Sequence, residues 1–283
     1  MSITATLSDR MKEYESQTQI KLIKKLPVII RIDGRGFSKF TKGFEKPFDI
    51  ELSKIFQKVT LELCKSIDNI KFAYSQSDEI SLLLTDWDHT KEADGGRVDT
   101  WYDYRVQKMV SVIGSQVTAL FNQELYKKAK VYEKLSKKSS DLKLGTDSVT
   151  NELFVYVDTW TPARYKLFER KQFKAMFDAR VFNLPVDEVC NYFIYRQQDA
   201  LRNSVSGFAR QYYSTKQLQG VKNPDKIQMV KDNYNVDCDK DISQLQIVGF
   251  AVTSNAEKLK DKYEVDIDIP LFKEDREYIE KYL

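Results

Sequence analysis

A strand, a helix, two strands joined by a tight turn and a second helix are legible in that order, and they predict an α+β fold: a palm-type (ferredoxin-like) antiparallel sheet with its helices on one face, followed by a C-terminal extension of helix and strands. Three observations carry this. The apolar run "LPVIIRID" stops at a carboxylate, the run "NIKFAYSQSDEISLLLTDW" is interrupted by a polar tetrad, and two later segments repeat apolar residues at helical spacing.

Each element follows in order. After a charged amino-terminal segment, Val28 to Ile32 read as a buried strand that ends at Asp33 and Gly34-Arg35-Gly36. A plain turn is one reading, since Asp and Gly supply the dihedrals turns need and Arg35 then faces water. Asp49 suits a helix N-cap, with Leu52, Ile55, Phe56, Val59 and Leu63 on one face of the helix that follows. Ser75-Gln76-Ser77-Asp78 forms the turn of a strand–turn–strand hairpin. A polar loop from Asp86 to Asp99 leads into a second helix near Thr100, whose face is Val106, Met109, Val110, Ile113, Val117, Leu120 and Phe121. "KAMFDARVFNLP" supplies a closing strand around Phe177 and from Val181 to Leu184.

Between these lies a polar stretch, "KLSKKSSDLKLGTDSVTNEL", so residues 126–171 read as an insertion with a short strand at Leu153 to Val157. Pro185 suits the first turn of a long helix and Gly220 its C-terminal stop. Apolar runs at Leu245 to Val252 and in "EVDIDIPLF" add peripheral strands. The expected organisation is a palm-like catalytic domain over residues 1–184 and a C-terminal region, 185–283, packed on it.

Composition narrows the chemistry. The chain has 283 residues, 42% of them hydrophobic and 12% aromatic, enough for a folded core. Lys and Arg number 45 against 42 Asp and Glu, so affinity for nucleic acid must come from local basic patches. No stretch approaches the ~18 apolar residues of a membrane span, and "MSITATLSDRMKEYE" lacks the apolar core of a signal peptide, which predicts a cytoplasmic protein without membrane partners. Cys64, Cys190 and Cys238 are far apart, odd in number and read as buried thiols. The one histidine, His89, falls in a polar loop, so Ser-His-Asp, Cys-His and multi-histidine metal chemistry drop out. Carboxylates are left to hold any metal.

Placing the first strand beside the hairpin makes Asp33 and Asp78 neighbours. Two carboxylates so close repel unless protons or cations neutralise them. Hard divalent cations fit best, and magnesium is commonly held by one or two carboxylates together with substrate phosphates. A two-ion nucleotidyl-transfer site is the second reading of the acidic turns: one ion acidifies an attacking 3′-hydroxyl and the other stabilises the pyrophosphate that leaves. Gly34 and Gly36 then let backbone N–H groups approach a triphosphate, with Arg35 in reach. Further on, Arg196, Asp199, Asn203 and Arg210 fall within about 60° on one helix, either a solvated face or a surface for a tRNA end or second triphosphate. Tyr212-Tyr213 beside them suits base stacking or core packing.

The motifs "RIDGRGFSKF", "FEKPFD", "YSQSDEISLLL", "FDARVFNLP" and "NYFIYRQQDALRNSVS" together resemble the tRNA-His guanylyltransferase family over Leu26 to Gly220, apart from the insertion. The resemblance implies a magnesium-dependent palm that adds nucleotides to the 5′ end of tRNA in the 3′-to-5′ direction, drawing on GTP and other nucleoside triphosphates, with ATP for 5′ activation. It makes Asp33, Asp78 and the Gly34 carbonyl the ligands of two Mg2+ ions, and Asp33, Gly34, Arg35, Gly36, Phe37, Ser38, Ser77 and Asp78 the nucleotide contacts. It sets Lys46 near the phosphates and Glu79 among the catalytic acids, although Glu79, next to Asp78, is expected on the opposite face. Homotetrameric assembly is implied as well.

Members that add the extra G to tRNA-His carry His-Ile-Asn-Asn after "RQ-x-D". Here Leu201, Arg202 and Ser204 replace its His, Ile and last Asn. The resemblance is therefore to the like-protein branch, which repairs 5′-truncated tRNAs by templated addition, with non-templated guanylate addition as the alternative. A nucleotide cyclase and a non-catalytic RNA-binding module are remoter rivals. "RQQDALRNS" on the long helix favours transfer over cyclisation, and Glu45 and Pro47 break the RNA-recognition pattern faintly begun at Lys42-Gly43-Phe44.

Overall fold

The computed structural model describes residues 6–46, 48–87, 98–141, 162–236, 249–254 and 263–283. In chain order its elements are α1 (Leu7–Ser16), β1 (Val28–Gly34), a one-turn helix α2 (Phe37–Phe40), α3 (Ile50–Ser66), β2 (Ile70–Gln76) and β3 (Glu79–Leu84). There follow α4 (Val106–Asp141), α5 (162–171), β4 (Phe177–Asn183), α6 (Val186–Ala209), α7 (Asn223–Tyr234), β5 (Phe250–Ser254), β6 (Tyr263–Asp266) and α8 (Glu277–Glu280). Six antiparallel strands form one sheet in the order β4-β1-β3-β2-β5-β6, so both strands of the C-terminal extension join the sheet, β5 against β2.

Alternation along the strands sorts side chains into two layers. Val28, Ile30 and Ile32 face α3 and α4, where Ile55, Val59, Leu63, Met109, Ile113, Val117 and Phe121 complete the larger core. Ile29, Phe72, Tyr74 and Leu83 face the other way, onto Val189, Cys190 and Phe193 of α6 and the C-terminal residues Ile269, Phe272 and Ile279. The palm helices thus share one face, as expected, and the C-terminal region covers the second. A small third cluster, Phe208, Ala209, Leu218 and Val230, joins the end of α6 to α7.

Local rules explain the element ends. The Asp49 carboxylate accepts the Glu51 and Leu52 N–H groups at 3.0 and 3.2 Å, so it caps α3 as predicted, and every residue of the predicted α3 stripe is buried. The second helix begins later than Thr100. Trp101–Tyr104 form a 3-10 turn in which Tyr102 and Asp103 take φ of 51° and 52°, values a right-handed helix does not admit. The segment 126–171 is largely helical where described: α4 runs on to Asp141, and α5 occupies 162–171. The strand expected at 153–157, His89 and Cys238 lie outside the described residues. Cys64 and Cys190 are buried free thiols.

The long helix also ends earlier than predicted, at Ala209, and Gly220 (φ 77°) belongs to a later turn. Tyr212 and Tyr213 pack against Tyr234, which leaves core packing rather than base stacking as their role. Among the described residues no helix is long and apolar enough to cross a membrane.

The α3 stripe is tested by paired truncations in one helix. Ile55→Ala, at a position with no exposed surface, should cost about 2–5 kcal/mol in denaturant unfolding, whereas Ile50→Ala, 41% exposed, should stay within about 0.5 kcal/mol. Equal losses would contradict the layer assignment.

Candidate active site

The end of β1 meets the β2–β3 turn through backbone pairing. Asp33 is the register partner of Glu79 on β3 and of Asp178 on β4, and the Gly34 N–H donates to the Asp78 carbonyl at 3.0 Å. Ser77, at φ 52°, makes the turn tight, and its hydroxyl donates to Asp78 Oδ1 at 3.0 Å. Burial pushes the Asp78 carboxyl above its usual range, and the Asp33 charge adds to the shift. Asp33 and Asp78 are therefore electrostatic neighbours.

The two glycines after Asp33 act differently. A Cβ on Gly34 would lie 2.3 Å from the Phe37 ring, so Gly34 is needed for close packing. That ring is buried against Phe40, Phe56, Phe121 and Phe177, at centroid distances of 4.8 to 6.0 Å. Gly36 has open space around it and needs glycine for its φ of 64° instead. The chain consequently turns straight into α2 and leaves Gly36, Phe37 and Ser38 on the wall of a cleft of about 1100 Å³.

Ser77, Asp78 and Lys46 line that cleft as well. The loop that carries Lys46 is fixed from below. Asp49 accepts the Glu45 N–H at 3.1 Å and pairs through both oxygens with the buried guanidinium of Arg164 on α5. Burial raises the Asp49 pKa, but Arg164 and the backbone donors outweigh it and hold the carboxyl below its usual value. Opposite, α6 and the start of α7 contribute Arg202, Asn203, Arg210, Lys222 and Lys226. One wall is strongly cationic.

Beneath the cleft runs a chain of charges. Arg31 lies 2.7 Å from Glu79 and 3.9 Å from Asp33; Arg196 Nε is 3.1 Å from the other Glu79 oxygen and its Nη2 is 2.6 Å from Asp199, which also pairs with Arg202. Burial pushes Glu79 up, and Arg196 and Arg31 only partly offset it, so the carboxyl stays above its usual value. Because Glu79 directly opposes Asp33, it shares the face of Asp33 and not the opposite one, which corrects the sequence expectation. Its carboxylate is occupied by two guanidinium groups. Asp33, Arg31 and Glu79 form one cluster.

Not every predicted residue lines the cleft: Gly36, Phe37, Ser38, Lys46, Ser77 and Asp78 do, whereas Asp33 and Gly34 do not. Arg196 and Asp199 lie in the charge chain, while Asn203 and Arg210 line the cleft wall. Arg35 lies apart from that lining: its N–H donates to the Met176 carbonyl and it lines a second cavity with Asp178. Sequence reasoning missed Arg31, Lys222 and Lys226 and treated Arg202 only as a departure from a motif. Arg31 carried a usable signal, a lone cation two residues before Asp33 in an apolar strand, which period two puts on its face.

The donor set suits magnesium. Among the described residues no cluster of three or more acidic, thiol or imidazole groups forms a closed metal cage. Two carboxylates beside a cation-walled cleft match an ion that keeps waters and takes substrate phosphates as its remaining ligands. The upward shift of Asp78 comes first from burial and then from the neighbouring Asp33 charge, both of which a bound cation would offset.

Comparison with known proteins agrees with this architecture. The family model described as tRNA-His guanylyltransferase matches residues 8–185. A solved bacterial tRNA-His guanylyltransferase-like protein in complex with ATP superposes with a TM-score of 0.74 at 33% identity, covering 98% of this chain and 99% of that one. Another bacterial like-protein structure, in complex with GTP, gives 0.66 at 31% identity over the same shares. An uncharacterized protein of Acanthamoeba polyphaga mimivirus is 25% identical over 83% of this chain and 72% of its own length. The tRNA-His guanylyltransferase of Schizosaccharomyces pombe is 33% identical over 39% of this chain and 38% of its own.

The raised Asp78 pKa has a testable sign. The folded state holds the Asp78 proton more tightly than the unfolded chain, so stability falls as pH rises through the shifted value. In metal-free buffer, Asp78→Asn should unfold at higher denaturant than wild type at pH 7, and the difference should vanish near pH 3, where both states are protonated. A variant less stable than wild type at pH 7 would contradict the placement of Asp78.

Proposed function

The chain belongs to the tRNA-His guanylyltransferase family of nucleotidyltransferases, and we propose that it adds nucleotides to the 5′ end of tRNA in the 3′-to-5′ direction, with magnesium, as a templated repair of 5′-truncated tRNAs. The observation that carries this reading is Asp78 in the lining of a cleft that also bears Lys46, Arg202, Arg210, Lys222 and Lys226, with Asp33 as its charged neighbour, in a chain matched over 98% of its length by a like-protein bound to ATP.

In this reading Asp33, Asp78 and the Gly34 carbonyl hold two magnesium ions. Bound magnesium supplies positive charge to the phosphates and lowers the pKa of the attacking 3′-hydroxyl. Gly36 to Ser38 and Ser77 seat the triphosphate of GTP, another nucleoside triphosphate, or the ATP that activates a 5′ end. Lys46 faces the phosphates from one wall, while Arg202, Arg210, Lys222 and Lys226 supply countercharge from the other. Glu79, Arg31 and Arg196 orient the surroundings of Asp33 and touch no substrate, which makes them positioning residues. The palm, 1–184, carries the chemistry, and 185–283 closes the cleft. Cytoplasmic location and assembly as a homotetramer belong to the same reading.

Template dependence rests on α6. Leu201, Arg202 and Ser204 stand where tRNA-His enzymes carry His, Ile and Asn, and Arg202 is drawn into an ion pair with Asp199 at the cleft wall. Among the described residues no imidazole stands there to favour one reaction, and base pairing with the opposite strand is left to select the nucleotide.

Two experiments follow. Asp33→Ala should lower turnover at least about a thousandfold, about 4 kcal/mol of transition-state stabilisation, with the fold retained by circular dichroism; near-wild-type turnover would remove Asp33 from the chemistry. With truncated tRNAs that differ only in the templating base, sequencing of the 5′ ends should show the complementary nucleotide each time. Addition of G whatever the base, or activity confined to full-length tRNA-His, would overturn templated repair in favour of non-templated guanylylation.

A further inference from the structure

A second surface, on the β4 side of the sheet, is not used by the cleft chemistry. Its centre is a cavity of about 910 Å³ lined by Arg35, Tyr126, Phe173, Met176 and Asp178 among others. Phe173 is 69% exposed, Met176 53% and Tyr126 41%, and the Phe173 and Tyr126 rings lie 6.0 Å apart with an interplanar angle of 34°. Phe173 is presented by a tight turn at φ 59°, between α5 and β4. A turn that projects a phenyl ring into solvent forgoes its burial, and grouped exposed aromatics of this kind mark an interaction site.

Cations flank Phe173 in the chain, and Lys130 Nζ lies 5.6 Å over the Tyr126 ring. Arg170, Lys171 and Lys174 come from the end of α5 and the turn, Lys42 from the segment after α2, and Arg35 from the end of β1. Among the described residues no ion pair engages any of the five. Lys171 is pushed down by partial burial and then by Lys174, Arg170 and Lys42, so these charges act on one another. Arg170 Nε donates to the Lys166 carbonyl at 3.2 Å and Lys171 Nζ lies 5.4 Å over the Phe40 ring, but all five charges are left without a paired anion among the described residues and so offer countercharge to a polyanion. Lys171 Nζ reaches the Lys39 carbonyl at 3.4 Å, and Lys39 follows Ser38 of the cleft wall, while Arg35 precedes Gly36 of that wall. The patch and the cleft meet across α2.

We propose that this patch binds the RNA substrate next to its reacting end: Phe173 and Tyr126 stack an unpaired base, and Lys171, Lys174, Arg170 and Lys42 contact the flanking phosphates. The assignment rests on the reading of the cleft as a tRNA 5′-end site and names the surface over which that RNA leaves it. Aromatic faces flanked by cations suit single-stranded nucleic acid, because every base has a π-face and every linkage a charge. A second copy of the chain fits less well. A two-fold contact through the patch would set the same cations against themselves.

The test measures binding of a 5′-truncated tRNA by fluorescence anisotropy over a salt series, for wild type, Phe173→Ala and the double variant Lys171→Gln/Lys174→Gln. Sedimentation mass and the KM for the added nucleotide are measured on the same proteins. Phe173→Ala should weaken tRNA binding about tenfold with an unchanged salt slope. The double variant should weaken it and reduce the slope of log K against log salt by about 1.4, two phosphate contacts. Nucleotide KM and sedimentation mass should not move. Wild-type affinity in both variants, or a change in mass that identifies a self-association face, would overturn the assignment. If wild type binds the tRNA yet adds no nucleotide, the functional reading fails while the binding comparison still decides the surface; wild type that does not bind sinks both.

Discussion

Antiparallel pairing of β1 with β3 forces two carboxylates into one corner of the molecule, and much else is arranged around that constraint. Six residues of each strand are in register from Val28↔Leu84 to Asp33↔Glu79, so the corner cannot open without unzipping the centre of the sheet. Four strands and two helical layers are anchored on that centre. The repulsion between Asp33 and Asp78 is local, whereas the apolar contacts that maintain the pairing extend over both faces. Burial of the surrounding core, at about 25 cal/mol per Å² of apolar surface, is the larger effect.

The protein tempers the corner without cancelling it. Glu79 would add a third charge, but Arg31 and Arg196 offset it, and Asp199 and Arg202 carry the chain of charges out to the cleft wall. Buried ion networks of this kind contribute little net stability when intact and are costly to break, so their value here lies in fixing geometry. Asp49 serves the other wall in the same manner: one carboxylate caps α3, braces the loop of Lys46 and receives Arg164. Burial, with the Asp33 charge added, still leaves both Glu79 and Asp78 above their usual values, and of the two it is Asp78 that lines the cleft.

Legibility in the sequence followed the range of the interactions. The α3 stripe, its Asp49 cap and the hairpin around Asp78 depend on neighbours within a few residues, and all were readable from spacing. Glu79 was misjudged because the alternation rule was applied from Asp78, which lies in the turn; counted from Asp33 across the ladder, Glu79 falls on the same face. Its partner Arg196 is more than a hundred residues away, a distance no periodicity spans. The end of α6 was missed for a different reason. Gly207 in its last turn is a weaker mark than Gly220, and Phe208 and Ala209 pack into the cluster with α7, a contact that no local spacing contains. Arg35 sits between two glycines that favour a phosphate-binding reading, yet the backbone bond to Met176 directs it toward the β4 edge. The family resemblance supplied the direction of synthesis and the roles of Gly34 and Lys46, which no local pattern contains.

The central claim is that Asp33 and Asp78 together form a divalent-cation site. Manganese, standing in for magnesium, reports on it through loss of the free-ion paramagnetic resonance signal, measured with a nucleoside triphosphate present on wild type, Asp33→Asn and Asp78→Asn at pH 7.5 and pH 5. The account predicts tight binding to wild type at pH 7.5, binding that weakens as the pH is lowered because Asp78 holds its proton more tightly than an ordinary carboxyl, and loss of protein-bound manganese in both variants. Wild-type binding in either variant would contradict it.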